Sequence, residues 1–299
     1  MEESDTVMAE LPALEILRAL GVNGAPVATP LRGGFDMAMW RVEHEGQLYA
    51  LRVFRPDEHE ECEREQAVME AVHTAGLPVP RVHRAGTWQD RPALLISWIA
   101  GRTLGDELLA RPWRLWLLGM AFGRTQAAIN AVEAPALLRQ RSGSWISWRC
   151  EGEEALQDRL CHLAAGRQAL LHLDYHPRNV LTDGRRITGV IDWTNARAGD
   201  PRADAARTIS ILRVDPLVRR SLIQWLVLSL FALAWRVGYQ RAGGRLNDMP
   251  AFYAWAGTLL QRDLAPRYQQ QPRELAPARR WTNKWKARAK GNKRATRAS

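Results

Sequence analysis

Cysteine is scarce in this chain. Only Cys62, Cys150 and Cys161 occur among 299 residues, none of them in a C-x-x-C pair, which excludes a disulfide framework or a zinc ribbon and predicts three reduced structural thiols. Long apolar runs are lacking as well. The longest, 222–235, is broken by Gln224 and Ser229 and falls short of the roughly 20 residues that cross a bilayer, so a buried helix is expected and no membrane span. The opening MEESDTVMAE is acidic and has no basic stretch leading into an apolar one. A cytoplasmic location is therefore expected.

Acid is absent from the C-terminal end. Arg279, Arg280, Lys284, Lys286, Arg288, Lys290, Lys293, Arg294 and Arg297 account for nine of the ten net positive charges, so the body of the chain is nearly neutral. Like charges beside only two large apolar residues, Trp281 and Trp285, predict a basic disordered tail over 279–299. No specific nucleic-acid partner is expected, only weak, salt-sensitive polyanion binding by that tail.

What is present changes character near residue 100. Before it, 35–42 and 48–54 read as strands around the turn Glu45-Gly46, 93–99 as a further strand, and 58–74 as a helix. After Gly101, helices are expected at 113–131, 153–163, 203–212, 217–240 and 251–262. Short β-branched runs lie among them around Asp183-Gly184, a hairpin signal. The fold class is thus α+β, a strand-rich lobe over 1–99 followed by a mostly helical lobe over 100–278. The tryptophans Trp113, Trp116, Trp145, Trp148 and Trp193 are read mostly as core.

Residues 171–204, LHLDYHPRNVLTDGRRITGVIDWTNARAGDPRAD, carry the chemistry. Asp174 and Asn179 stand five apart, and Asp192 follows the hairpin. Phosphoryl transfer needs an Asp to take or orient a hydroxyl proton, and an Asn and a second Asp as hard oxygen ligands for Mg²⁺. One loop Asp would satisfy only local backbone, but the ordered set points to that chemistry. Here the sequence resembles the aminoglycoside phosphotransferase family of kinase-like enzymes, over about 31–206.

The resemblance implies a two-lobed protein-kinase-like fold that uses ATP and Mg²⁺ to phosphorylate a hydroxyl of a small molecule. It makes Asp174 the catalytic base, Asn179 and Asp192 the metal ligands, and His172 a support for the loop. His176 either touches the transferred phosphate or packs the turn before Pro177. In the first lobe, Arg52 of Tyr49-Ala50-Leu51-Arg52 would grip phosphate, with Glu65 as its partner and Glu61, Glu63 and Glu70 as competitors. Gly33 and Gly34 stand where a phosphate-covering loop belongs. Adenine would lie on the connector that includes Trp98 and Ile99. Asp200 and Asp204 are read as anchors of the catalytic loop.

A protein substrate is not expected. Leu173 replaces the Arg that precedes the catalytic Asp in protein kinases, and seven residues between Asp192 and Asp200 leave no room for an activation loop. The acceptor that the resemblance implies is an aminoglycoside, another antibiotic or an amino alcohol. The alternative is a kinase-like nucleotide-binding module without catalysis.

Overall fold

The structure, a computed structural model, describes residues 11–31, 38–140, 144–148, 152–214 and 222–295. The chain divides into two compact units, one up to Ala100 together with Gly189–Thr194, the other Gly101–Thr188 with the chain from Asn195 on.

The first unit begins with a short helix α1 (Ala13–Ala19), followed by β1 (Val27–Pro30), β2 (Ala38–His44), β3 (Gln47–Val53), helix α2 (His59–Thr74), β4 (Val82–Trp88) and β5 (Arg91–Ser97). The strands form one antiparallel sheet in the order β1-β2-β3-β5-β4. Glu45 and Gly46, both left-handed, close the two-residue turn between His44 and Gln47, as a tight hairpin demands. Alternation along β3 sorts its side chains. Leu51 and Val53 join Ile16, Leu17, Trp40 and Leu95 in a core, which leaves Ala50 and Arg52 for the opposite face.

On α2 the buried positions Cys62, Glu65, Val68, Met69 and Val72 form one stripe at helical spacing, so Glu65 occupies a core position. The structure adds α1, β1 and β4 to the expected elements. All three signals are weak: α1 has seven residues and no side-chain cap, and β1 and β4 are largely exposed.

The second unit contains β6 (Arg102–Thr103), α3 (Leu104–Ala110), a 3₁₀ turn (Pro112–Arg114), α4 (Leu115–Ile129), short helices α5 (Ala136–Arg139) and α6 (Ser144–Ser147), α7 (Glu154–Leu163), β7 (Ala169–Leu171), β8 (Val180–Thr182) and β9 (Ile187–Val190), whose last residues enter the first unit. Next come β10 (Arg197–Gly199), α8 (Pro201–Val214), α9 (Leu222–Arg241), α10 (Met249–Leu264), a 3₁₀ turn (Pro272–Leu275) and α11 (Ala276–Ala295).

Glycines bring α4 and α9 together. A Cβ on Gly119 would meet Ala234, one on Gly123 the Trp235 carbonyl at 2.1 Å, and one on Gly238 the Met120 carbonyl at 2.1 Å. Gly119 also lies against Phe231, and Asn130 accepts from the Tyr239 hydroxyl, so from 119–231 through 123–235 to 130–239 the contacts advance along both helices and the two run parallel. Among the described residues no helix is long and apolar enough to cross a membrane.

Three expectations need correction. Of the segment expected to be a disordered tail, residues 279–295 are helical: α11 runs to Ala295 and packs on α10. Small residues make this possible. Ala278, Thr282 and Ala289 are buried, Gly257 lies under Thr282, Trp281 donates to the Tyr253 carbonyl at 3.1 Å, and the Trp285 ring lies 4.7 Å from that of Tyr253. Counting only large apolar residues missed this close approach. Second, Trp145 and Trp193 are core, but Trp113 is 75% exposed and Trp116 46%. Third, Cys161 is exposed; Cys62 is buried, its thiol pushed up to about 12 by burial and then by the Glu65 charge, and Cys150 lies outside the described residues.

Truncation after Arg280 therefore removes docked surface. It should lower the unfolding free energy by about 2–5 kcal/mol, the scale of losing buried aromatic contacts, when full-length and truncated chains are compared in urea. Equal midpoints would show that α11 contributes nothing to the fold.

Candidate active site

In the first unit Arg52 and Glu65 form a buried ion pair. Glu65 lies on the core stripe of α2, which favours it over Glu61, Glu63 and Glu70 as the partner acid. Burial pushes its carboxyl above the ordinary range against the pull of Arg52; the Asp192 charge raises it further, and a hydrogen bond from the Trp193 backbone opposes that. The 189–194 segment is pinned to this unit by three backbone contacts. Val190 N–H donates to the Pro78 carbonyl at 2.9 Å, Trp193 N–H to Glu65, and Arg64 Nη2 to the Thr194 carbonyl at 3.2 Å. Asp192 itself is left-handed, at φ 64°, and its Oδ1 accepts from the Thr194 hydroxyl at 2.6 Å.

Trp98 and Ile99 follow β5. The Trp98 N–H donates to the Leu48 carbonyl at 3.1 Å, and the Arg41 guanidinium stands 5.9 Å from the Trp98 ring. Gly33 and Gly34 lie outside the described residues.

In the second unit β7 pairs with β10 and delivers the loop 172–179. Leu173 is left-handed there, at φ 60°, a conformation a branched side chain adopts only under external restraint. The restraint comes from both ends of the residue. Its N–H donates to Asp204 Oδ1 at 2.7 Å, and its carbonyl accepts from Arg207 Nε at 3.1 Å. Asp204 is fully buried, and its Oδ2 also accepts from Gln126 and Asn130. The Thr208 hydroxyl donates to the Tyr175 carbonyl at 2.9 Å. Of the two acids read as anchors, Asp204 holds this loop, whereas Asp200 binds Arg202 and Arg167.

His172 is buried and its Nδ1 accepts from the Asp174 N–H at 3.3 Å. Asn179 Nδ2 donates to the Asp174 carbonyl at 3.0 Å and to its Oδ2 at 3.2 Å. His176 Nε2 lies 3.6 Å from the same Oδ2. Burial would raise the Asp174 pKa, but the neighbouring His176, with Arg207 and His172, outweighs it and lowers the value from 3.8 to about 2. Asp174 is thus an anion at neutral pH.

The donor chemistry suits a hard divalent cation. With its nitrogen committed to Asp174, Asn179 presents Oδ1 as an oxygen donor, and Asp192 offers a carboxylate; Mg²⁺ favours such ligands, with substrate phosphates and water completing its shell. The hairpin between these two residues is fixed within the second unit. Arg114 Nη1 donates to both Glu107 and the Gly184 carbonyl, and a Cβ on Gly184 would lie 2.1 Å from Arg114.

Sequence spacing found none of Gln126, Asn130, Arg207 and Thr208. They are distant in sequence from the residues they support, and the only hint was Asp204 in the expected anchoring role.

Asp204→Ala would leave the Leu173 N–H and two amides without their shared acceptor. It should destabilise the chain by about 3–5 kcal/mol in urea titration, and Asp204→Asn should cost less. An alanine variant as stable as the parent would show that the network restrains nothing.

Comparison with known proteins places this geometry. A family model described as phosphotransferase enzyme family matches residues 27–255. Viomycin phosphotransferase of Streptomyces vinaceus is 32% identical over 38% of this chain and 48% of its own, so the chain spans about half the length of that curated relative. Among solved structures, aminoglycoside phosphotransferase APH(4)-Ia matches at TM-score 0.65 and 17% identity, over 91% of this chain and 97% of that one; a thermostable mutant of it has been solved with AMP-PNP and hygromycin B. Plasmodium vivax ethanolamine kinase matches at TM-score 0.54 and 13% identity, over 87% and 82%. These likenesses show the fold, α+β in the two-lobed kinase-like manner, and the match across 27–255 shows the family: the chain belongs to the phosphotransferase enzymes of the aminoglycoside phosphotransferase type.

Proposed function

We propose that the chain transfers the γ-phosphate of ATP, with Mg²⁺, to a hydroxyl group of a small molecule. The observation that carries this reading is the Asp174 carboxylate, kept ionised by its surroundings and oriented by the Asn179 amide on a loop restrained at both ends of Leu173. When bound, the metal–nucleotide complex supplies the transferable phosphoryl group and neutralises its charge. Asn179 and Asp192 would hold the metal.

Asp174 accepts a hydrogen bond from the acceptor hydroxyl and aims its oxygen at phosphorus. As the new P–O bond forms and the bond to the ADP leaving oxygen breaks, the hydroxyl becomes acidic and its proton passes to Asp174. Arg52, ion-paired with Glu65, would grip nucleotide phosphate. The connector at Trp98 and Ile99 would receive the adenine.

The short span from Asp192 to Asp200 favours a small acceptor over a peptide. An aminoglycoside, another antibiotic or an amino alcohol would serve, since the viomycin, hygromycin B and ethanolamine proteins that resemble this chain differ in that very respect. The purified chain should be screened for ATP consumption against aminoglycosides, peptide antibiotics, macrolides, choline and hydroxy amino acids.

On the substrate so found, Asp174→Ala should lower kcat by roughly 10²–10⁴ and leave nucleotide affinity near the parent value. Asp192→Ala should also weaken Mg²⁺-dependent nucleotide binding. Parental rates in both variants would defeat the assignment. Arg52→Ala should raise KM for ATP more than it lowers kcat, and Glu65→Ala should act in the same direction; an unchanged KM in both would remove the pair from nucleotide binding.

A further inference from the structure

A cavity of about 210 Å³ opens in the second unit where α4 and α9 end beside the start of α8. None of its lining residues belongs to the site proposed for nucleotide, metal or acceptor. Its polar wall is made by Asn130, Arg167, Asp200, Arg202, Tyr239 and Arg245, and the rest is alanine, glycine and proline. Three guanidinium groups against one carboxylate leave the cavity with two positive charges. The carboxylate is already occupied. Asp200 is fully buried, its Oδ1 accepts from the Arg202 N–H and Nε at 2.9 and 3.0 Å, and its Oδ2 accepts from Arg202 Nη2 at 2.7 Å and lies 3.3 Å from Arg167 Nε. Arg202 is committed as well, because its Nη1 and Nη2 donate to the Asn247 and Leu163 carbonyls. The other two arginines are not. Arg167 meets Asp200 through Nε alone, and the Arg245 guanidinium has no hydrogen bond or ion pair among the described residues.

Glycines bend the chain to bring these two arginines round. Gly166, left-handed at φ 74°, precedes Arg167. After α9, Gly243 is left-handed at φ 90°, the Gly244 N–H donates back to the Tyr239 carbonyl at 2.9 Å, and a Cβ on Gly244 would lie 2.2 Å from the Tyr239 ring. The helix therefore stops in a turn that only glycine fits, folded over that ring, and Arg245 reaches the cavity instead of continuing along the helix axis. The wall also joins the network behind Leu173. The Tyr239 hydroxyl donates to Asn130 Oδ1 at 3.1 Å, and Asn130 Nδ2 donates to Asp204 at 2.9 Å, so an occupant would rest against residues that hold the loop 172–179.

We propose that this cavity binds a small phosphate-bearing anion. Guanidinium donors suit phosphate oxygens, and a phosphate dianion matches the two positive charges, where a carboxylate would leave one over. The cavity is smaller than the roughly 300 Å³ at which pockets for drug-sized ligands begin, so the occupant is inorganic phosphate or a small monoester. Thermal unfolding of the full chain at fixed ionic strength tests this. Inorganic phosphate up to about 20 mM should raise Tm saturably by about 2–5 °C, as should methyl phosphate, the larger rise identifying the free ion or the ester. Arg245→Glu removes no contact among the described residues; it should keep the parent's Tm in chloride and lose the saturable rise. Arg167→Ala with Arg245→Ala should lose the rise too, whereas Arg52→Ala should keep it. An equal rise in the parent and Arg245→Glu, the general effect of an anion excluded from the surface, overturns the proposal. So does a rise lost only in Arg52→Ala, or no rise at all.

Discussion

The hydrogen bond from the Leu173 N–H to Asp204 is the restraint on which the loop 172–179 depends. A leucine at φ 60° costs on the order of 1–3 kcal/mol and persists only where surroundings over-determine it. Here Asp204 takes the N–H and Arg207 the carbonyl of the same residue, and Asp204 is itself held by amides of Gln126 and Asn130, which in turn accept from Trp235 and Tyr239. The strain turns the chain so that Asp174 follows with its N–H on His172 and its carboxylate beside Asn179. A layer of buried polar contacts thus decides where one largely buried anion points.

The first unit repeats the device. Glu65 is a buried carboxylate that accepts the backbone N–H of Trp193, the neighbour of Asp192, which is also left-handed. In each unit, then, a buried acid accepts a backbone N–H next to an acid proposed for the site, and a left-handed residue stands there, Leu173 before Asp174 in one and Asp192 itself in the other. Burying a lone carboxylate would be prohibitive; Arg52 offsets the cost for Glu65, and a set of neutral and charge-assisted donors does so for Asp204. This arrangement explains why the 189–194 segment belongs with the first unit although it interrupts the second in sequence.

Legibility in the sequence followed the range of each interaction. Asp174, Asn179 and Asp192 stood out because a hairpin of fixed length separates them, and the strands and helix around Arg52 and Glu65 because their periodicity is local. Arg207, Gln126 and Asn130 gave no signal, since they meet the loop only after α4, α8 and α9 have packed, and any of them could have been a solvated surface residue. The C-terminal helix was hidden for a different reason. Its charge suggested self-repulsion, whereas it docks with Ala278, Thr282 and Ala289 buried and Thr282 against Gly257 of α10, and small residues carry little weight in a hydrophobicity count. The exposed Trp113 and Trp116 misled in the opposite sense, because aromatic residues at helical spacing are core only when another element covers them.

The charge state of Asp174 constrains the chemistry open to the site. Its pKa in the fold, about 2, lies below the ordinary 3.8, so ionisation favours the folded state; that contribution is complete above pH 3.8 and is lost as pH falls toward 2. A carboxylate so acidic cannot strip a proton from an alcohol before bond formation begins, because the alcohol holds its proton far more tightly. In a loose phosphoryl-transfer transition state the attacking oxygen has gained little bonding and keeps its proton until late, when the partly formed ester oxygen has become strongly acidic. Only then is a weak base sufficient. In the proposed reaction the restraint on Leu173, the Asn179 amide and the two histidines would therefore hold the direction of the carboxylate at the expense of its basicity.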